Sequence, residues 1–491
     1  MGRLSTLFGP ERVAVIGATE SEGSVGRAIT SNLLASYEGE VLAVNPNADE
    51  VLGLPCHDDI GDVDSPETVD VAVVVVPPHI AVDAIRQSGE VGIENVVVIT
   101  AGFGETGSDG AARERELHEV AEEYDLNLVG PNSLGVMSTP KGLNATFGNE
   151  MATEGDVSFM SQSGAFVTAV LDWAAERDVG FKDIVSLGNK AILDEGDFVE
   201  EWGEDPETDV ILGYLEDIDD GEQFIRTARE VTQDTPIVLV KSGRTDAGAS
   251  AAASHTGAMA GSERAYEAGL EQAGTLRVES VQELFDYAQI LSGQPLPDGE
   301  EIAIVTNAGG PGVMTTDAVG DSDLSLAEFE EATLDELRET MPDAANIYNP
   351  VDIIGDAPAE RFESALETVL ADENVAMAVV VACPTAVLSF EELADVVVEQ
   401  QQDSGLPIAT TLMGGKSVGA GRDVLSEAGI PQYFDPARAV GSLDALYDYR
   451  EIQAREFEAP EEFDVDRERA REILERTKRR DTNRLGVEAM E

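Results

Sequence analysis

The sequence predicts an α/β protein built from three consecutive domains, each formed around a mainly parallel β-sheet. Short apolar runs recur along the chain, and most of them end in glycine, proline, asparagine or serine. The intervals between the runs have helix-like length and pattern, and this alternation is typical of parallel sheets that are buried on both faces. The pattern starts again near residue 150 and near residue 301. We therefore expect three Rossmann-like or flavodoxin-like units, with ligands bound at the carboxyl ends of the strands.

The first domain, predicted at residues 1–148, opens with a strand, a turn of small residues and a helix start. The strand-like run Arg12–Ile16 leads into Gly17, and Gly23–Gly26 opens the helix. Such a turn can bring backbone N–H groups towards a phosphate. Ala18 and Thr19 follow Gly17, so the spacing departs from the dinucleotide fingerprint Gly-x-Gly-x-x-Gly and weakens that interpretation. Four further strand-like runs with their turns follow: Val41–Pro46, Val69–Pro78, Val96–Gly104 and Leu128–Asn132.

The second domain, predicted at residues 149–293, begins with the run Asp156–Ala165. Within that run, Ser161–Gly164 lies between a strand and a helix, where hydroxyl and backbone N–H groups could face an anion. Simple helix capping is an equal alternative for this loop. The domain continues with Asp183–Asn189 and with two strands that end before Glu216 and Lys241.

The third domain is predicted at residues 298–456 and is followed by a helical tail or linker at residues 457–491. It begins with the strand of Glu301–Gly312, whose glycine-rich end Asn307–Gly312 favours phosphoryl chemistry over plain capping. The proline- and glycine-containing stretch Leu291–Gly299 marks the boundary before it. The sequence lacks Gly-x-x-x-x-Gly-Lys-Ser/Thr, which disfavours a P-loop nucleotidase.

His255 lies in the run Ala251–Gly261, in which nearly every neighbour is too small to bury an imidazole. This setting is typical of a nucleophile that is presented to a substrate. Glu216, at the end of a predicted strand, could fix the tautomer of such an imidazole, although the two residues are far apart in the sequence. From these residues alone, an ordinary core or surface histidine remains the more common alternative.

The composition is strongly acidic, with 97 Asp and Glu against 31 Lys and Arg and a formal net charge of −66. We interpret this charge as halophilic adaptation, because salt near 1 M shortens electrostatic screening to roughly 3 Å and removes most self-repulsion. The acidic residues are spread among regular apolar patterns, which argues against disorder. A charge of this sign also argues against nucleic-acid binding.

No apolar stretch resembles a signal peptide or a membrane span, so we expect a soluble, cytoplasmic protein without a membrane partner. Cys56 and Cys383 are isolated in the sequence. They provide neither a disulfide framework nor a cysteine-based zinc site, and no metal site is predicted in this chain.

Six motifs stand out along the chain: Gly130–Val136, Ser161–Ala165, Ser186–Lys190, Lys241–Thr245, Ser254–Ala258 and Thr306–Gly312. Their order resembles the alpha subunit, or alpha half, of NDP-forming acyl-CoA synthetases. These are the ADP-forming acetate–CoA ligases, distant relatives of succinyl-CoA synthetase, and the resemblance covers roughly residues 5–455.

The resemblance implies that the first domain binds coenzyme A and that the second carries a phosphohistidine. Residues near the CoA phosphates would be Gly17, Ser24, Val25 and Gly26, and the same cleft would be lined by Asn45, Pro46, Val76, Pro77 and Asn132. Many relatives have a lysine where this chain has Asn47, and often a cysteine where it has Ser133.

The resemblance also implies an activity, in which acyl-CoA, ADP and phosphate give acid, ATP and CoA through an acyl phosphate. His255 would be phosphorylated, Glu216 would orient it, and Ser163 and Gly164 would bind the phosphoryl oxygens. ADP or ATP with Mg²⁺ would bind an ATP-grasp beta module that this sequence does not contain, and an α₂β₂ heterotetramer is the family expectation.

Two other functions remain open at this point. The chain could be a catalytically idle, CoA-binding regulatory protein, against which the presence of both Glu216 and His255 argues. An NAD(P)-dependent dehydrogenase built on the first domain is disfavoured by the imperfect glycine spacing.

Overall fold

Three mainly parallel sheets form the framework of the protein in a computed structural model. The structure describes residues 2–175, 177, 179–245, 247–248, 262–455 and 469. Residues 1–453 form one compact unit, and residues 454–491 form a second unit, of which only three residues are described. His255 and nearly all of the predicted tail therefore lie outside the described residues.

The first sheet has seven strands in the order β3-β4-β2-β1-β5-β6-β7. All neighbours are parallel except the short pair β3 and β4. Its strands are β1 (Arg12–Ile16), β2 (Glu40–Val44), β3 (Glu50–Val51), β4 (Leu54–His57), β5 (Val71–Val74), β6 (Asn95–Val98) and β7 (Asn127–Val129). The associated helices are α1 (Ser5–Phe8), α2 (Val25–Ser36), α3 (Pro78–Glu90) and α4 (Ser108–Tyr124).

The central strands of the first sheet are buried on both faces, which explains why β1 and β5 are almost entirely apolar. Val13 and Val15 of β1 belong to the core cluster that includes Ile29 of α2. The intervening Ala14 belongs to the opposite cluster, with Ile85 of α3. Successive side chains of a strand point to opposite faces, so helices cover both sides.

The second sheet also has seven strands, in the order β14-β13-β12-β10-β11-β8-β9. Its strands are β8 (Gly135–Ser138), β9 (Leu143–Thr146), β10 (Glu154–Ser161), β11 (Phe181–Ser186), β12 (Val210–Leu215), β13 (Ile237–Lys241) and β14 (Leu276–Val278). Its helices are α5 (Gly164–Ala175), α6 (Glu195–Gly203), α7 (Gly221–Val231), α8 (Glu263–Ala273) and α9 (Val281–Gly293).

The hairpin formed by β8 and β9 pairs with the second sheet, although it lies within the range predicted for the first domain. β8 runs antiparallel to both β11 and β9. The first two units also share one apolar cluster, and Phe8 of α1 packs against Phe198 and Trp202 of α6, with ring centroids 6.2 and 5.9 Å away. The division of the chain at residue 148 stays a prediction.

The third sheet has six strands, with β16-β15-β18-β19-β20 in line and β17 paired to β15. Its strands are β15 (Glu301–Thr306), β16 (Ser325–Leu326), β17 (Val351–Asp352), β18 (Met377–Ala382), β19 (Ile408–Leu412) and β20 (Gln432–Tyr433). Its helices are α10 (Gly309–Gly320), α11 (Glu331–Thr340), α12 (Ala359–Leu370), α13 (Phe390–Ser404), α14 (Gly419–Glu427) and α15 (Pro436–Ala454). Five short 3₁₀ turns complete the described elements: Ile60–Asp62, Pro66–Thr68, Gly104–Thr106, Thr139–Lys141 and Lys416–Val418.

Helix α15 connects the third sheet to the second. Arg438 of α15 donates two hydrogen bonds, of 2.7 and 2.6 Å, to the buried carboxylate of Asp286 in α9. Tyr449 and Ile452, further along α15, join the core cluster of the second sheet. The predicted fold class, three consecutive α/β units around mainly parallel sheets, is confirmed. Among the described residues, no helix has the length and apolar character needed to cross a bilayer.

Candidate active site at the carboxyl ends of the first two sheets

The turn after β1 is built by two glycines that touch each other. Gly17 has a φ of +105°, and a Cβ atom placed on it would lie 2.5 Å from the carbonyl oxygen of Val75. A Cβ atom on Gly26, in the first turn of α2, would lie 2.3 Å from the carbonyl oxygen of Gly17. Only glycine fits at either position, so the positive end of the α2 dipole comes close to the end of β1. Ser24 is the N-cap of α2 and accepts a hydrogen bond from Arg27 N at 3.4 Å.

The other predicted CoA-cleft residues follow neighbouring strands at the same edge of the first sheet. Asn45, after β2, donates to the carbonyl oxygen of Ala18 at 2.7 Å, which holds the turn after β1. Asn47 donates its backbone N–H to Asn45 Oδ1 at 2.9 Å. Pro46 follows Asn45, and Val25 is the first residue of α2.

Thr100, after β6, makes hydrogen bonds with the segments that follow β5 and β7. Its hydroxyl donates to the carbonyl oxygen of Val76 at 2.7 Å, and its carbonyl oxygen accepts from the backbone N–H of Asn132 at 3.0 Å. Pro77 follows Val76 and directly precedes α3. Residues after β1, β2, β5 and β7 therefore meet at one edge of the sheet, and their role in CoA binding stays a prediction.

Asn189 connects the second domain to this edge. Its side-chain amide donates to Glu105 at 2.7 Å and to Glu114 at 3.0 Å, and it accepts from Asn132 at 3.4 Å. Burial alone would raise the pKa of Glu105, but hydrogen bonds from Asn189 and from nearby backbone N–H groups outweigh burial and lower it. Asn189 lies in a motif that was recognised in the sequence, whereas Glu105 and Glu114 carried no signal there.

The loop Ser161–Gly164 lies between β10 and α5, as predicted. Ser163 N donates to Ser161 Oγ at 3.1 Å, and Ser163 Oγ accepts from Phe166 N at 3.4 Å in the first turn of α5. The capping interpretation is therefore correct for the Ser163 hydroxyl. Capping does not compete with anion binding, because the helix start keeps its positive dipole end. Phosphate binding by Ser163 and Gly164 stays a prediction.

Glu216 follows β12, the strand next to β10, and both polar groups of its backbone are held by side chains. Glu216 N donates to Gln162 Oε1 at 2.5 Å. Its carbonyl oxygen accepts from Lys241 Nζ at 2.7 Å. Glu216 is half-buried next to the predicted phosphate loop. His255, its predicted partner, belongs to the part of the chain that the structure does not describe.

A buried ammonium group holds the segment after Glu216. The side chain of Lys190 is 2 % exposed, and its Nζ atom lies 2.8 Å from Asp217, 3.0 Å from Glu195 and 3.4 Å from Asp219. Burial would lower the pKa of Lys190, but the three carboxylates outweigh burial and raise it. Burial also raises the pKa of Glu195, against the opposing effect of Lys190. Sequence spacing could not indicate this network, because Lys190 and Glu195 precede β12 whereas Asp217 and Asp219 follow it.

Lys241 is a second buried lysine at this edge. Its ammonium group donates to the carbonyl oxygens of Glu216 and Ser242, and it lies 4.1 Å from the ring centroid of Tyr266. Burial lowers the pKa of Lys241. Within the described ranges, no group of three or more His, Cys, Asp or Glu residues could hold a metal ion.

Three family models match consecutive parts of the chain. A CoA binding domain matches residues 11–139, a succinyl-CoA ligase like flavodoxin domain matches residues 154–291, and a ligase-CoA domain matches residues 302–455. The matches follow the order of the three sheets.

Similar proteins with assigned activities extend over nearly the whole chain. An ADP-forming acetate–CoA ligase I of Archaeoglobus fulgidus is 45 % identical over 475 residues, which are 96 % of this chain and 68 % of that protein. The alpha subunit of ADP-forming acetate–CoA ligase I of Pyrococcus furiosus is 39 % identical over 92 % of this chain and 99 % of the subunit.

A solved structure has the same fold. The dinucleotide-forming acetyl-coenzyme A synthetase 1 of Ca. Korarchaeum cryptofilum, in complex with phosphate and ADP, gives a TM-score of 0.87 at 38 % identity. The likeness covers 92 % of this chain and 98 % of the matched chain.

Proposed function

The chain belongs to the family of ADP-forming acetate–CoA ligases, and we propose that it carries the acyl-CoA site and the phosphohistidine of such an enzyme. The overall reaction is acyl-CoA, ADP and phosphate giving acid, ATP and CoA, and it is reversible. The observation that supports this proposal most is the edge after β10 and β12, where Gln162 joins the Ser163–Gly164 loop to Glu216.

In the first step, the cleft after β1 binds coenzyme A, with the α2 start at Gly17 and Gly26 facing its phosphates. An oxygen of inorganic phosphate attacks the thioester carbonyl carbon, the C–S bond breaks, and CoA leaves as the thiol after taking up a proton. The acyl phosphate that forms is held by Ser163 and Gly164, whose helix start stabilises the phosphoryl oxygens.

In the second step, a neutral imidazole nitrogen of His255 attacks the phosphorus atom. The P–O bond to the acyl group breaks, and the carboxylate leaves. Glu216 accepts a hydrogen bond from the other imidazole nitrogen and stabilises the charge that develops on the ring. The phosphoryl group then passes to the terminal phosphate oxygen of ADP and forms ATP, which regenerates the imidazole.

The nucleotide step requires an ATP-grasp beta module, and we assign ADP or ATP with Mg²⁺ to that module. Two kinds of relative support this arrangement, because one is an alpha subunit and another is a longer single chain of which this chain covers 68 %. An α₂β₂ assembly in the cytoplasm remains our expectation.

The test is a half-reaction that needs no beta module. The full chain in multimolar KCl, with ³²P-phosphate and acetyl-CoA, should acquire label that is labile to acid and stable to alkali. His255→Ala should show no label, and Glu216→Gln should label roughly 10²-fold more slowly, as expected for the loss of a group that stabilises charge in the transition state.

Two matched variants serve as controls for the labelling. His118→Ala removes a half-buried histidine of α4, and Glu271→Gln removes an exposed carboxylate of α8, and both should label like the wild-type chain. CoA binding without label for acetyl-, propionyl- or aryl-acetyl-CoA would contradict the proposal and favour a regulatory CoA-binding protein.

A further inference from the structure

We infer that Gln162 is a positioning residue for phosphoryl transfer, which fixes Glu216 relative to the phosphate loop. The inference rests on the proposed function, since it assigns a partner to the glutamate of that mechanism. It concerns a side chain that lies between two predicted site residues, Ser163 on its own loop and Glu216 on the neighbouring strand.

Both polar atoms of the Gln162 side-chain amide make hydrogen bonds. Gln162 is 9 % exposed, and its Oε1 atom accepts from the backbone N–H groups of Glu216 at 2.5 Å and Asp217 at 3.0 Å. Its Nε2 atom donates to Asp217 Oδ1 at 2.5 Å. Two donors on one side and a carboxylate on the other allow only one orientation of the amide.

Asp217 is itself fixed, so the amide of Gln162 has a rigid partner. Lys190 Nζ lies 2.8 Å from Asp217 Oδ1, the atom that also accepts from Gln162, and 3.0 Å from Glu195. Burial would raise the pKa of Asp217, but Lys190 and the Gln162 hydrogen bond outweigh burial and lower it. Asp217 therefore stays ionised and keeps accepting from Gln162 near neutral pH.

Glu216 is held from the opposite side as well. Lys241, the last residue of β13, donates to its carbonyl oxygen. Side chains from β13 and from the β10 loop thus fix both peptide groups of Glu216. A carboxylate that must meet an imidazole needs this kind of support, because small displacements of reacting groups cost large factors in rate.

Pairing of the strands does not by itself require this arrangement. β10 and β12 are already held in register over Val157–Ser161 by parallel ladder bonds. Burying a carboxylate and an ammonium group beside Gln162 is costly, and the backbone ladder between β10 and β12 does not need these groups. The cost is explained if the position of Glu216 relative to Ser163 matters for chemistry.

The experiment compares single-turnover labelling of the full chain by ³²P-phosphate and acetyl-CoA in multimolar KCl. Gln162→Met should lower the maximal labelling rate about 10- to 100-fold, the range typical of residues that orient a catalytic group. The half-saturating acetyl-CoA concentration and the dissociation constant for CoA should stay within about twofold of wild type, because the CoA cleft is on another sheet.

The double variant Gln162→Met/Glu216→Gln identifies the route of the effect. If Gln162 acts through Glu216, the double variant should be no slower than Glu216→Gln alone, since coupled residues are non-additive. The matched control is Gln294→Met in the stretch between the second and third domains, where a similarly buried amide accepts from Ile408 N and donates to the carbonyl oxygen of Gly429. This control should label like wild type.

Three results would overturn the inference: wild-type labelling by Gln162→Met, rate losses that multiply in the double variant, or loss of CoA affinity in parallel with labelling. Should the methionine variant melt at assay temperature, Gln162→Glu replaces it, because this variant keeps an acceptor for the two backbone N–H groups and turns the donor to Asp217 into a second carboxylate, which repels Asp217. We expect slowed labelling from it too, and an unchanged rate would equally overturn the inference. Absence of label from the wild-type chain would instead refute the proposed function.

Discussion

Asp183 is a carboxylic acid placed where its ionised form is poorly solvated. It lies on β11, is 3 % exposed, and its Oδ1 atom has no hydrogen-bond partner among the described residues. Burial raises the pKa of Asp183 to about 6, although Ser138 and Lys182 oppose the shift. Between about pH 4 and pH 6 the folded chain therefore binds more protons than the unfolded chain, so this group lowers stability as the pH rises.

Replacement of this acid by its neutral isostere should remove that pH dependence. Asp183→Asn should stabilise the protein at pH 7 by about 1–3 kcal/mol, and the gain should disappear below about pH 4, where the wild-type acid is protonated in both states. Thermal midpoints at pH 4, 5, 6 and 7 in constant KCl measure this effect, at roughly 2–4 °C per kcal/mol.

Asp403→Asn provides the comparison, because Asp403 is exposed on α13. Its midpoint should follow wild type at every pH. An Asp183→Asn protein whose difference from wild type is the same at pH 4 and pH 7 would show that packing, and not ionisation, dominates at this site.

At the scale of elements, the contact between Gly17 and Gly26 sets how closely α2 approaches β1. Gly26→Ala would place a methyl group 2.3 Å from the carbonyl oxygen of Gly17. The helix must then move away, which should cost about 1–3 kcal/mol of stability and weaken CoA binding at least tenfold. Calorimetric titration with CoA, together with a thermal melt, measures both effects.

Gly441→Ala is the matched control, because an added Cβ atom at Gly441 of α15 meets nothing within 4 Å. That variant should keep its CoA affinity and gain up to about 1 kcal/mol from the better helix propensity of alanine. Equal CoA affinity in Gly26→Ala and wild type would place the CoA phosphates elsewhere.

The elements also show how far the sequence predicts the fold and the site. β5 and β18 could be predicted from the sequence, because strands that are buried on both faces consist of apolar residues. The turn at Gly17 could be predicted because glycines cluster after a strand. The pairing of β8 with β11 could not be predicted, because tertiary packing determines which strand becomes the antiparallel partner. The Lys190 network was also invisible, because an ion pair between Lys190 and Asp217 leaves no periodic pattern.

The whole molecule carries a formal charge of −66, so its carboxylates repel each other in dilute buffer. Added salt should weaken this repulsion, because screening shortens to roughly 3 Å near 1 M. The thermal midpoint should therefore rise by at least 10 °C between 0.1 and 3 M KCl, with most of the increase below 1 M.

Glycine betaine is excluded from protein surfaces but carries no net charge, so it does not screen the carboxylates. Thermal midpoints in betaine and in KCl at equal osmolality therefore distinguish screening from solute exclusion. A rise as large with betaine as with KCl would show that exclusion from the surface stabilises the fold and would count against the halophilic interpretation. A midpoint that is independent of KCl would contradict it directly.

The hairpin of β8 and β9 bears on how such proteins can be recombined. Residues 135–146 precede the second sheet's own strands in the chain but complete its edge. If two related genes are joined at residue 148, the hairpin comes from one parent protein and β11, its partner strand, comes from the other. A chimaera joined between β7 and β8 keeps the hairpin and β11 from the same parent, so we expect that exchange to be tolerated. The exchangeable segment therefore begins before residue 135.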